Sequence, residues 1–140
     1  MPEPAATVLV VDDNADHSVL LRVTGKRVAP QLSFRAVGDG REALDYLDGV
    51  HPFDDRTRYP YPSLVLLDLM MPMLDGFAVL ARLQSHEWVN RVPIVVLTTS
   101  SNPIDEIRAM DLGADAFHSK PAEVDGLGAL FEEIVRRWLP

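Results

Sequence analysis

The chain has 140 residues, which suits one domain and is too short for two sizeable ones. A hydrophobic share of 47% supplies a core, and a net charge of -8 argues against a nucleic-acid backbone as direct partner. There is no cysteine, so disulfides and thiolate metal sites are excluded, and no apolar run approaches the roughly 18 residues of a membrane span.

The N-terminus, MPEPAATVLVVDDN, lacks the basic start and long apolar run of a secretory signal, so a cytoplasmic protein is expected. Thr7–Val11 is nearly continuous in Val and Leu, as in strands buried on both faces of a parallel sheet, and it runs into Asp12-Asp13-Asn14. Residues 14–28 have helical spacing, with Leu20, Leu21 and Val28 expected on one side. Leu32–Val37 reads as a second strand. Residues 40–47 read as a short helix carrying Ala43, Leu44 and Leu47.

Residues 49–62 (GVHPFDDRTRYPYP) break this rhythm and exceed the usual connection of about two to six residues. A solvated surface loop is the expectation, with partner contact through Tyr and Arg as the alternative. The third strand, Ser63–Leu67, ends in Asp68. An unpaired buried charge is costly, so such an acid needs a partner or a task. Residues 75–85 repeat Val79, Leu80 and Leu83 at helical offsets. Ile94–Leu97 is the fourth strand and leads into Thr98-Thr99-Ser100-Ser101. Pro103 opens a helix that stops before Gly113. Ala114–His118 is the fifth strand, followed by Ser119-Lys120-Pro121. The last helix carries a wide stripe of Leu127, Leu130, Phe131, Ile134, Val135 and Trp138.

Strand and helix thus alternate five times, which predicts an α/β fold with a parallel sheet and helices on both faces. The functional crevice of such a sheet lies at the carboxyl ends of the strands. If the first and third strands are neighbours, Asp12, Asp13 and Asp68 converge there. Like charges so close need a positive group, either a divalent cation with oxygen ligands or Lys120. Each piece alone has an ordinary explanation: Asp-Asp before a helix is a common cap, and Thr-Thr-Ser-Ser is common loop chemistry. Together they form a chemically complete set of ligands, nucleophilic carboxylate, hydroxyl and cation. A carboxylate nucleophile can form an aspartyl-phosphate, and phosphoryl transfer needs chiefly positioning and charge neutralisation.

The motifs VLVVDDN, LVLLDLMMPMLDG, VPIVVLTTSS and GADAFHSKP resemble those of the receiver domain of two-component response regulators, over about residues 7–138. The resemblance implies a flavodoxin-like five-stranded sheet in the order 2-1-3-4-5 with five helices, and a single receiver domain over residues 1–140. It implies that Asp68 is the phosphoacceptor in a Mg²⁺-dependent reaction with a histidine kinase. Asp13, Asp68 and the Met70 backbone carbonyl would hold the ion, with Asp12 acting through water. Thr98 and Lys120 would contact the phosphoryl group, and Thr98 and Phe117 would form the switch. The Lys120–Pro121 peptide is expected to be cis, and Gly76 to make a close turn. Met70 and Ser100 would influence the phosphoryl lifetime, whereas Leu69 and Met73 would only pack.

The extension at residues 49–62 is similar to one in the small regulators that pair with bacterial phytochrome kinases, so a bacteriophytochrome is an expected partner. The chain stops at Pro140, just after the fifth helix. The expectation is therefore no DNA-binding or enzymatic output domain, and signalling by contact with a downstream protein. The contact face implied is the fourth helix, fifth strand and fifth helix, including Ile104, Arg108, Phe117, Arg136 and Arg137. A homodimer seam there would involve Val124, Leu127 and Trp138. Two enzyme readings are disfavoured. A phosphohydrolase would need an acid where Met70 stands, and no G-x-G-x-x-G follows the first strand for a dinucleotide. A binding module that had lost phosphorylation would be expected to lack one of the acids, Thr98 or Lys120.

Overall fold

The computed structural model describes residues 6–69, 76–88 and 91–139. Strands β1 (Thr7–Val11), β2 (Ser33–Val37), β3 (Leu64–Leu67), β4 (Ile94–Thr98) and β5 (Ala116–Ser119) alternate with α1 (Ala15–Val28), α2 (Gly40–Asp48), α3 (Gly76–Ser85), α4 (Pro103–Asp111) and α5 (Val124–Trp138). All pairings are parallel, in the order β2-β1-β3-β4-β5. This is the flavodoxin-like arrangement expected. β1 and β3 are adjacent, with Val11 opposite Leu67, so the residues that follow them emerge side by side.

The sheet separates two cores. On one side Leu9, Val11, Val65, Leu67 and Val96 pack under α2, α3 and α4. On the other, Val8, Val10, Leu66, Val95 and Leu97 pack under α1 and α5, with Leu127, Phe131 and Ile134 contributed by α5. Strand residues alternate between the two cores, which is why these strands are apolar without interruption.

Local signals place the helix ends. Asn14 Oδ1 accepts from the Asp16 and His17 amides at 2.9 and 3.3 Å. Asp39 Oδ1 accepts from the Glu42 amide at 2.8 Å, and Asn102 Oδ1 from Ile104 at 3.0 Å, beside Pro103 in the first turn. Each satisfies an amide that the helix itself leaves unpaired.

Three expectations need correction. Leu20 is 38% exposed, and the inner face of α1 is Leu21, Thr24, Gly25 and Val28. That is a regular i, i+3, i+4, i+7 stripe, but two of its members are not large hydrophobes. A Cβ on Gly25 would stand 2.3 Å from the Phe34 ring, so glycine is there for room. Leu127 is buried in the α1/α5 core, which removes it from any subunit seam. The Val124 side chain lies outside the described ones. Finally, Lys120–Pro121 is not cis; among the described residues the cis peptide is His51–Pro52. Lys120 is already held by its amide, which donates to the Thr98 carbonyl at 2.6 Å.

Residues 49–62 also differ from a merely solvated loop. Arg56 turns inward and donates to the carbonyls of Tyr46 (2.8 Å), Leu47 (2.9 Å) and Tyr59 (3.2 Å). It thereby caps the C-terminal carbonyls of α2, where a cation is favoured by the helix dipole. Tyr46, fully buried, donates its hydroxyl to the Pro60 carbonyl at 2.8 Å and packs against Phe53 and Tyr59. Burial pushes the Tyr46 phenol up to about 12. Gly49, at φ 68°, makes the turn out of α2. His51, Asp54, Asp55, Thr57 and Arg58 remain exposed on the outer side.

Candidate functional site

The site is assembled by strand order. The Asp12 amide bonds to the Val37 carbonyl at 3.1 Å and the Asp68 amide to that of Val11 at 3.0 Å, so both acids leave the sheet in fixed register. Asp12 and Asp68 are 4% and 5% exposed, close to complete burial. Asp12 Oδ1 accepts from the Asn14 amide at 2.9 Å, which orients that carboxylate.

Lys120 is the positive group among them. Its Nζ donates to Asp12 Oδ2 at 3.2 Å and to Asp68 Oδ2 at 3.4 Å. A third contact, at 3.2 Å, goes to Nδ1 of His17. Lysine has three donors and no acceptor, so in this contact Nδ1 of His17 is the acceptor. The ammonium thus meets three acceptors from β1, α1 and β3. Two carboxylates against one ammonium leave excess negative charge in a largely buried place, which suits a further cation.

Thr98 is fully buried at the end of β4, and its hydroxyl accepts from the Ser100 amide at 3.3 Å. Ser119 lies opposite Thr98 in register, and its hydroxyl donates to the Ser100 carbonyl at 2.9 Å, tying the β4 and β5 exits together. The Ser100 hydroxyl donates in turn to Asp105 in the first turn of α4. Phe117, opposite Val96 on β5, is half-buried and packs against the core under α2, α3 and α4. Gly76 is required by its surroundings: a Cβ there would fall 2.4 Å from Leu69 Cα and 2.8 Å from the Asp68 carbonyl. Gly76, at the start of α3, therefore stands very close to Asp68.

The structure brings together Asp12, Asp68 and Lys120, with Thr98 at the neighbouring strand exit. Asp13 is exposed and stands outside the cluster of Asp12, His17 and Asp68. Met70, with its expected backbone ligand, and Met73 lie outside the described residues. His17 was not legible as a site residue. It reads as an ordinary polar position of an amphipathic helix, and only the first turn of α1 brings it over Asp12.

The donor set fits a divalent cation. Oxygens of Asp12 and Asp68 and a ring nitrogen of His17 all lie within 4.8 Å of one another. Carboxylates suit a hard ion such as Mg²⁺, which binds through one or two of them and keeps several waters. Lys120 pairs with both of these carboxylates, so an ion and the ammonium would share or compete for them.

Comparison with known proteins agrees with this geometry. Residues 8–132 match the family model of the response regulator receiver domain. Response regulator Rcp1 of Synechocystis sp. is 30% identical over 97% of this chain and 90% of its own length. The crystal structure of its Mn²⁺-bound form superposes with a TM-score of 0.79, covering 96% of this chain and 94% of that one. The phosphorylated cyanobacterial phytochrome response regulator RcpA gives a TM-score of 0.84 at 30% identity, with the same coverage. A response regulator in red light signaling of R. palustris gives 0.87 at 34% identity, again covering 96% and 94%.

Proposed function

This chain belongs to the response regulator receiver domain family, and we propose that within it Asp68 is the phosphoacceptor of a stand-alone switch served by a histidine kinase. The observation that carries this is Lys120 bridging two nearly buried carboxylates, Asp12 and Asp68, at the carboxyl edge of adjacent strands. In the reaction, a carboxylate oxygen of Asp68 attacks the phosphorus of the kinase phosphohistidine. The new O–P bond forms as the P–N bond breaks, and the imidazole leaves with the electron pair. Asp13, Asp68 and the Met70 carbonyl, with Asp12 acting through water, would hold Mg²⁺, which would supply charge neutralisation of the phosphoryl oxygens. That Rcp1 has a Mn²⁺-bound form supports a divalent ion for this chain as well.

Lys120 then exchanges a carboxylate for the phosphoryl oxygens, and the Thr98 hydroxyl turns to donate to one of them. Phosphorylation adds about -1.5 to -2 of charge, enough to draw both groups. Thr98 is tied through Ser100 to Asp105 of α4, and Lys120 stands just past the end of β5, three residues after Phe117. Movement at the site is therefore coupled to the α4, β5 and α5 face. That face exposes Ile104, Ile107 and Met110 on α4, which suits contact with a downstream protein or a second copy of the chain. The likeness to RcpA and to the R. palustris regulator supports a bacteriophytochrome as the kinase. We also assign the whole chain to one receiver unit without enzymatic output.

The test is intact mass after incubation with acetyl phosphate and Mg²⁺. One phosphoryl group is expected on the wild type, and none on Asp68→Asn or in EDTA. A wild type that stays unmodified, and that also fails to take up beryllofluoride, would overturn the reading in favour of a binding module.

A further inference from the structure

His17 is the group at the site that the proposed reaction leaves unused. It lies in the first turn of α1, and its Nδ1 is 3.2 Å from Lys120 Nζ and 3.7 Å from Asp12 Oδ2. Its backbone is fixed, because the His17 amide donates to the capping Asn14 side chain at 3.3 Å. The side chain is 41% exposed, so the ring is reached from solvent while its Nδ1 faces the acids. Nδ1 is thus the ring nitrogen turned toward the acids, and an imidazole nitrogen is a common metal donor.

Resting on the reading that Asp12 and Asp68 hold a divalent ion, we propose that His17 gives this site a nitrogen ligand and so a preference for the later first-row ions over Mg²⁺. The physical ground is the donor set. Two carboxylates alone suit hard ions, whereas an added imidazole suits the later first-row ions, whose affinities rise from Mn²⁺ through Co²⁺ to a maximum at Cu²⁺. The three donor atoms lie within 4.8 Å of one another. An ion held by Asp12 and Asp68 would compete with the Lys120 ammonium, which pairs with both carboxylates.

The experiment uses the full chain with Co²⁺ as probe and Mg²⁺ as competitor. Proton NMR of the Co²⁺-loaded wild type should show a strongly shifted, exchangeable ring N–H. That signal should be absent from His17→Ala and from His17→Gln, whose folding is checked by urea unfolding. The ratio of Co²⁺ to Mg²⁺ affinity should fall on the order of tenfold in both variants. Co²⁺ binding without the shifted ring signal, or an unchanged ratio in the variants, overturns the inference and leaves the phosphoacceptor reading intact. Failure of both ions to bind, or binding that survives Asp68→Asn, removes the metal reading itself and this inference with it.

Discussion

Arg56 donates to the main-chain carbonyl of Tyr46 at 2.8 Å, and the same guanidinium stands over the Tyr46 ring with its Cζ 5.8 Å from the centroid. One side chain from residues 49–62 thus closes the end of α2 and covers its buried aromatic. The extension is part of the folded core on this side.

Removing that side chain should destabilise the protein without touching phosphorylation. Arg56→Ala leaves the Tyr46 and Leu47 carbonyls without their donors, at about 1–3 kcal/mol in urea unfolding. Arg56→Lys should recover only part, since an ammonium cannot reproduce the fork. Phosphoryl uptake from acetyl phosphate should stay at the wild-type level.

Tyr46 carries a pH dependence at the alkaline end. Its folded value, about 12, exceeds the unfolded 10.0 because burial disfavours the phenolate. A raised folded value means this contribution is complete below the unfolded value and is lost as pH rises from about 10 to about 12. The loss is on the order of 2 kcal/mol. Stability measured across that window should fall in the wild type, and the fall should be smaller in Tyr46→Phe. An identical slope in the two proteins would refute the assignment.

Gly25→Ala tests the α1 packing. Alanine gains about 1 kcal/mol in helix propensity, but its Cβ would lie 2.3 Å from Phe34 and 3.0 Å from Phe131. Overpacking of this kind costs about 1–3 kcal/mol, so a net loss in the urea midpoint is expected. Gly25→Ala combined with Phe34→Leu should restore part of it.

Lys120→Met isolates the charge balance at the site. It leaves Asp12 and Asp68 facing each other without their ammonium, a change that costs roughly 3–5 kcal/mol for a buried pair. Thermal melts in EDTA should show the loss. Added Mg²⁺ should raise the variant's Tm by more than the wild type's, because the ion takes over the compensation. Equal Mg²⁺ shifts would mean that the ion and Lys120 do not share these carboxylates.

Much of the fold was legible in the residues themselves. Short uninterrupted Val and Leu runs read as strands covered on both faces, and Asn14, Asp39 and Asn102 mark helix starts by local hydrogen bonding. These signals depend on neighbours a few positions apart. They also put acids, hydroxyls and Lys120 at strand exits. Boundaries were looser: Ala114 was expected in the fifth strand, yet its amide closes the end of α4 by bonding to Ala109 at 3.1 Å.

What the residues determined alone was the sequence of strands and helices and the chemistry at each strand exit. Tertiary structure decided which exits meet. The adjacency of β1 and β3 sets Asp12 against Asp68, although 55 residues separate them. The same long-range packing brings His17 to Lys120 and turns Arg56 inward onto α2. Nothing local distinguishes such a histidine or arginine from its exposed counterparts. Their roles arise only when distant segments are buried together and every polar group enclosed there must find a partner.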